Sequence, residues 1–281
     1  MKTSVIHEIH ERAGARMGEF AGWSLPMDYG GVLREVQAVR TSAGLFDVSH
    51  MGRLEIFGDE ARDTLQNLLT NDVANLADGG GQYTLMCNPE GGVIDDLIAF
   101  RMAADRFYLV VNASNLDKDK AWITRNLPGS VALEDCTPDT AMFAVQGPRA
   151  EAVMIAAGMR DAPGTARFHF ARGEIAGMRV LALRTGYTGE DGFEIVCRSE
   201  SAEAVWTALV AAGSDHGLAP CGLAARDVLR IEAALPLYGH EVDEHISPVE
   251  AGLMRWVKLE KSDFMGRKSI AQLVDSGPSR K

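Results

Sequence analysis

At 281 residues, 46% of them hydrophobic and 24% charged, the chain is long enough for one large or two medium domains and has the balance of an ordinary soluble globular protein. A formal net charge of −11 without any basic run of five or more excludes a nucleic-acid binder, which depends on clustered Lys and Arg. No apolar run approaches the roughly 18 residues of a membrane span, and the N-terminus resembles neither a signal peptide nor a transit peptide, so a cytoplasmic location is expected.

In chain order, residues 6–13 read as a short helix with Gly14 as its stop. The segment Phe20-Ala21-Gly22-Trp23-Ser24-Leu25-Pro26-Met27 reads as an ordered loop, because Gly and Pro forbid a continuous helix. A helix is expected over 32–41 with Gly44 as its C-terminal stop. An internal duplication begins at Arg53. The strand 53–57, Gly58 and a helix with Ala61, Leu65, Leu68 and Leu69 on one stripe match the strand 141–145, Gly147 and a helix with Ala150, Val153, Met154 and Ala157 on one stripe. Each continues into two further strands and a helix that holds Trp122 in the first copy and Trp206 in the second. Two such units, each too small to bury both sheet faces alone, are expected to pack or interleave, with a ligand cleft between the halves. A last helix over 223–234 is expected to turn Val228, Ile231 and Leu235 inward, with Arg226 and Arg230 on another face.

The strand in Gly91-Gly92-Val93-Ile94-Asp95-Asp96-Leu97-Ile98-Ala99-Phe100 carries two acids. Alternation puts Ile94, Asp96, Ile98 and Phe100 on one face and Val93, Asp95, Leu97 and Ala99 on the other. Both faces are apolar apart from one acid each, so each buried Asp needs a partner, a proton or a ligand. The pattern does not say which Asp carries chemistry. The glycines of Arg184-Thr185-Gly186-Tyr187-Thr188-Gly189-Glu190-Asp191-Gly192-Phe193-Glu194 suggest a hairpin whose backbone is closely approached, but the order strand, GxGxxG, helix of a dinucleotide site is absent. His7 with His10, and His240 with His245, lack a third ligand at a telling spacing, so no metal is expected; His50 reads as a hydrogen-bonded structural residue. The four dispersed cysteines suggest neither a zinc site nor disulfides.

The segments Phe20-Ala21-Gly22-Trp23, Phe46-Asp47-Val48-Ser49-His50-Met51-Gly52, Gly91-Gly92-Val93-Ile94-Asp95-Asp96, Gln146-Gly147-Pro148, 184–194, Ala225-Arg226-Asp227 and Pro248-Val249-Glu250-Ala251-Gly252-Leu253 together closely resemble the aminomethyltransferase (T-protein) family of the glycine cleavage system. The resemblance implies an α+β fold: a duplicated folate-binding core of two interleaved α/β units with antiparallel sheets, lacking most or all of the family's C-terminal β-barrel. A first unit is expected over 1–140, a second over 141–270, and a polar tail over 271–281 where the barrel would begin. The implied activity moves the methylene carbon of an aminomethyl group from a lipoylated carrier protein (H-protein) to tetrahydrofolate as cosubstrate, with release of ammonia and without a metal. By the same resemblance Asp96 is the catalytic acid, Asp95 is structural, and Met51, Tyr83, Tyr187, Glu194 and Arg226 bind folate. The alternatives are another folate-dependent one-carbon transferase, or a non-catalytic folate-binding protein that assists iron–sulfur assembly, whose KGCYxGQE-like cysteine motif does not occur here.

Overall fold

The duplication read from the sequence is a duplication of topology. In the computed structural model, which describes residues 1–278, the first copy runs Gly52–Phe57, helix Ala61–Leu68, strands Gly81–Cys87, Val93–Ala103 and Arg106–Val111, helix Leu116–Arg125 and strand Ala132–Asp135. The second copy runs Thr140–Gln146, helix Ala150–Ala156, strands Phe170–Ile175, Met178–Leu183 and Gly192–Arg198, helix Ala202–Gly213 and strand Leu218–Pro220. In both sheets the second, third and fourth strands of the copy lie side by side, and the fourth lies next to the first. One difference separates them. In the first copy the last strand pairs directly with Gly52–Phe57, whereas in the second Ala43–Asp47 is inserted between Thr140–Gln146, its antiparallel neighbour, and Leu218–Pro220, its parallel one.

That insertion sets the division of the chain. Its two compact units are 1–50 with 137–235, and 51–136 with the segment from 236 onward, so they cross the contiguous boundaries expected at 140 and 141. The strand Ala43–Asp47 is buried at every residue, as a central strand must be. In the first unit Phe143, Val145, Phe193 and Ile195 pack against Val153, Met154, Val205, Trp206 and Leu209, so the helix stripes read from the sequence do face the sheet. In the other unit Leu54, Ile56, Leu97, Ala99 and Phe107 pack against Ala61, Leu65, Leu68, Leu116 and Ile123. A smaller cluster there joins Leu85, Cys87 and Val93 to Val257, Phe264 and Ile270. Ile270 belongs to the helix Arg267–Ser276, so part of the expected polar tail is a docked helix; residues 279–281 lie outside the described residues. No described helix is long and apolar enough to cross a membrane.

Three local expectations are corrected. The segment 20–27 is part of a hairpin: Arg16–Phe20 pairs with Trp23–Asp28 through Ala21 and Gly22, whose φ values of 49° and 78° are those of a tight two-residue turn with both residues left-handed. Pro26 is tolerated in this strand because Lys2–Thr3, on the other side, reaches only Trp23 and Ser24, so no ladder bond is lost there. Gly44 does not stop the helix Val32–Thr41. It lies in a strand, where a Cβ would stand 2.4 Å from Val39 Cγ2 and 2.9 Å from Cys221 Sγ, so the absent side chain serves close packing.

The third correction concerns the helix Leu223–Glu232, whose buried side is formed by Leu223, Ala225, Arg226, Leu229 and Arg230, while Ile231 is 58% exposed. Arg230 can be buried because Asp227 and the Leu235 carbonyl accept from it. Leu229→Ala is expected to cost about 2–4 kcal/mol by cavity formation, and Ile231→Ala less than about 0.5 kcal/mol. Urea unfolding midpoints of the two variants check this; equal losses would contradict the observed orientation.

Candidate active site

Asp95 and Asp96 sit in Val93–Ala103, but the alternation is broken at its start. Cys87 pairs with Val93 and Met86 with Asp95, so Ile94 is a bulged residue and joins Leu97 and Ala99 in the core instead of sharing a face with Asp96. Asp95 is fully buried and accepts from Asn112 N at 3.0 Å, Asn112 Nδ2 at 2.9 Å and Asn115 Nδ2 at 2.5 Å. Asp96 is half-buried; Tyr83 Oη donates to Oδ2 at 3.0 Å and Asn112 Nδ2 to Oδ1 at 2.8 Å. Burial, with the neighbouring Asp95, pushes the Asp96 carboxyl up to about 7, where it can give or take a proton near neutrality. The Tyr83 ring meets Trp256 edge to face at 5.2 Å, so an aromatic pair stands on the same side as this carboxyl. Met51 is half-buried, one register step beyond the Gly52–Val111 pair and therefore level with Asn112.

A second constellation is built within the unit 1–50 with 137–235. Glu194 is 4% exposed in Gly192–Arg198, on the sheet face turned away from Phe193 and Ile195, and accepts from Thr185 Oγ1 at 2.5 Å. Arg226 lies with its guanidinium carbon 4.9 Å from the centre of the Tyr187 ring. Its Nη1 is buried and has no hydrogen-bond partner among the described residues. Burial lowers its pKa, which the charge of Glu194 counteracts. A buried guanidinium with a free donor beside a carboxylate and an aromatic face suits a ligand with both donor and acceptor edges.

The glycine-spaced hairpin loop wraps Gln146, which donates to the Thr185 carbonyl at 3.0 Å and accepts from Thr188 Oγ1 at 3.0 Å. A Cβ on Gly186 would stand 1.8 Å from Gln146 Oε1, and one on Gly192 2.4 Å from Gln146 Nε2. The close approach foreseen at these glycines is thus to a side chain of the same unit. Arg184 closes the loop on Asp191 at 2.6 Å and 3.1 Å, and holds that carboxyl below its ordinary value.

Tyr83 and Asp96 are therefore brought together in one unit, and Tyr187, Glu194 and Arg226 in the other. The sequence reading missed Asn112, Asn115, Gln146, Thr185 and Trp256. A usable signal existed for the first two: Val-Val-Asn-Ala-Ser-Asn sets two amides at the step from the strand Arg106–Val111 to the helix that follows.

A duplicated α+β core whose strands carry buried acids with amide donors defines the class. The chain matches the GCVT N-terminal domain model over residues 6–261, and it belongs to that family. It is 45% identical to the aminomethyltransferase of Halalkalibacterium halodurans over 282 residues, 100% of this chain and 77% of that protein. It is 45% identical to that of Bacillus subtilis, over 100% of this chain and 78% of the other. The crystal structure of glycine cleavage system aminomethyltransferase T from Bartonella henselae is 37% identical, with a TM-score of 0.92 over 99% of this chain and 76% of that one.

The raised Asp96 carboxyl has a consequence for stability. Folding disfavours its charged form, so its contribution is full below the ordinary value of 3.8 and is lost as pH rises through about 7. Asp96→Asn is therefore expected to gain stability over the parent between about pH 4 and pH 7 and to keep that margin above it. Urea midpoints across this range check the sign; a variant that falls progressively below the parent as pH rises would contradict it.

Proposed function

We propose that this chain is a tetrahydrofolate-dependent aminomethyltransferase of glycine cleavage. In this reading it moves the methylene carbon of an aminomethyl group, held on the lipoyl arm of a carrier protein, to tetrahydrofolate and releases ammonia. The observation that carries the folate assignment is the unpartnered, buried Arg226 Nη1 beside Glu194 and Tyr187, in a chain whose relatives carry the aminomethyltransferase name along its whole length.

The roles follow from the chemistry of each side chain. A pterin presents a 2-amino group and N3–H as two parallel donors, which a carboxylate accepts one on each oxygen; Thr185 takes one lone pair of Glu194 Oε2 and leaves the second, so both oxygens remain able to accept. Arg226 has a donor left for the ring carbonyl or the anionic glutamate tail. Tyr187 and Tyr83 supply aromatic walls, and Met51 a soft apolar contact. Bound tetrahydrofolate supplies the nitrogens that accept the methylene carbon. Asp96 holds or takes up a proton at its carboxyl and stabilises positive charge on nitrogen, and Tyr83 and Asn112 fix the direction of that carboxyl. This reading implies the lipoylated H-protein as partner and the cytoplasm as compartment.

Ammonia release from aminomethylated lipoyl carrier protein, with and without tetrahydrofolate, tests the activity; no folate-dependent release would overturn it. Tetrahydrofolate at about a hundred times its dissociation constant is expected to stabilise the fold by about 2.7 kcal/mol, read as a raised unfolding temperature. Glu194→Gln keeps the Thr185 contact through its oxygen but turns an amide donor toward the pterin donors. Its folate affinity is expected to fall about tenfold or more, an unpaired buried donor costing about 1–3 kcal/mol. Unchanged binding, measured by calorimetric titration, would place the pterin elsewhere.

A further inference from the structure

Asp119 sits in the helix Leu116–Arg125, on the same buried stripe as Leu116 and Ile123, and is fully buried. Neither of its carboxyl oxygens has a conventional donor among the described residues. What faces it is another carboxyl, Asp95, within hydrogen-bond reach. Two carboxylates at that separation cannot both stay ionised in a buried site, so one of them carries a proton. Asp95 already accepts three N–H bonds from Asn112 and Asn115, which favour its charged form. The proton therefore belongs to Asp119.

We propose that Asp119 is a positioning residue for the aminomethyl transfer: its carboxyl proton is held on Asp95, so that one negative charge, shared by the pair, stands directly behind Asp96. The inference rests on the role given to Asp96 above. Asn112 transmits the arrangement, since its Nδ2 reaches Asp95 Oδ1 at 2.9 Å, Asp96 Oδ1 at 2.8 Å and the Asp96 carbonyl at 2.9 Å. An amide clamped on Asp95 thus fixes the direction of Asp96, and the charge on Asp95 keeps a proton on Asp96 into the neutral range. Burial raises both carboxyls, but Asp95 has the hydrogen bonds of Asn112 and Asn115 working against it, whereas Asp119, with burial first and then the charge of Asp95, is pushed up to about 11.

Among the described residues, the other groups around the three acids do not supply a counter-charge that would dissolve the pair. Tyr83, from Gly81–Cys87, bonds Asp96. Lys118, on the same helix as Asp119, lies 4.2 Å from the centre of the Tyr238 ring and donates to Tyr238 Oη at 2.6 Å. Tyr238 in turn donates to the Val93 carbonyl at 3.1 Å, and Asp243 and Glu244 act on that tyrosine as further negative charges. Lys118 lowers Asp119 by less than burial, the charge of Asp95 and the Asp95 hydrogen bond each raise it.

The test follows aspartate carboxyl carbons by 13C NMR in the full chain between about pH 4 and pH 9, with transfer rates measured alongside. One carboxyl resonance, lost in Asp119→Asn, is expected to stay protonated through neutrality, and another, lost in Asp96→Asn, to titrate near pH 7. Asp119→Asn still offers Asp95 an N–H and leaves it charged, so the Asp96 midpoint should stay in place. In Asp119→Leu the buried Asp95 loses that donor and takes up the proton itself, so the Asp96 midpoint should fall by about one pH unit. The acid limb of the transfer rate is expected to move with it, which mere loss of stability would not produce. An Asp119 resonance that titrates in the ordinary carboxylate range overturns the proposal, as does an Asp96 midpoint unmoved by Asp119→Leu. If no transfer is detected with any variant, the functional reading fails, while the carboxyl titrations still decide the pair.

Discussion

A charge taken out of water has to be answered by donors, and each half of this structure is arranged around a carboxylate that makes this demand. Asp95, near the start of an interior strand of its sheet, determines where the next helix begins, because Asn112 and Asn115 must both reach back to it from the turn between Arg106–Val111 and Leu116–Arg125. Asp47 makes the same demand in the other unit. Burial works to raise that carboxyl, yet His10, Ser4 and Ser49 outweigh burial and hold it low. These bonds tie the first residues of the chain to a central strand, and Tyr29 Oη locks the far side of His10 at 2.7 Å. The apolar cores supply most of the stabilisation, but it is the carboxylates that restrict which loops and helix starts the cores can be joined by.

How far the sequence could be read depended on whether the signal was local. The period of the apolar residues gave the helices 32–41 and 61–68 and the strands on either side of them, because one buried face leaves a regular stripe. The duplication was visible for the same reason. The helix 223–232 misled, since a stripe of Val228, Ile231 and Leu235 looks more apolar than one containing Arg226 and Arg230. Partners that the period does not show, Asp227 and the Leu235 carbonyl for Arg230 and the Tyr187 ring for Arg226, reverse the preference. The hairpin at Ala21 and Gly22 was hidden by an alanine in a left-handed conformation that the residue type does not advertise.

Of the candidate site residues, those on recognisable segments were within reach and those that hold others in place were not. Asp96 and Glu194 stand in strands whose polarity is out of place, which marks them. Gln146 and Thr185 have no such mark, and their importance is apparent only once the loop 184–191 is seen to wrap the one and the other is seen to hold Glu194. Asp119 is an intermediate case: Asp-Lys-Asp-Lys reads as a solvated helix face, while its spacing from Leu116 and Ile123 puts it on the buried stripe.

The strand Ala43–Asp47 also dictates the order in which the protein can be assembled. It leaves the ribosome long before Thr140–Gln146 and Leu218–Pro220, the strands that flank it, whereas the sheet of the other unit is built mostly from neighbours in sequence. The early chain must therefore wait, with an apolar strand unpaired, while an entire intervening sheet is synthesised. Non-local pairing of this kind slows folding and exposes an edge that can pair wrongly. A nascent chain arrested before residue 140 would thus carry one sheet able to close and one strand in need of a chaperone.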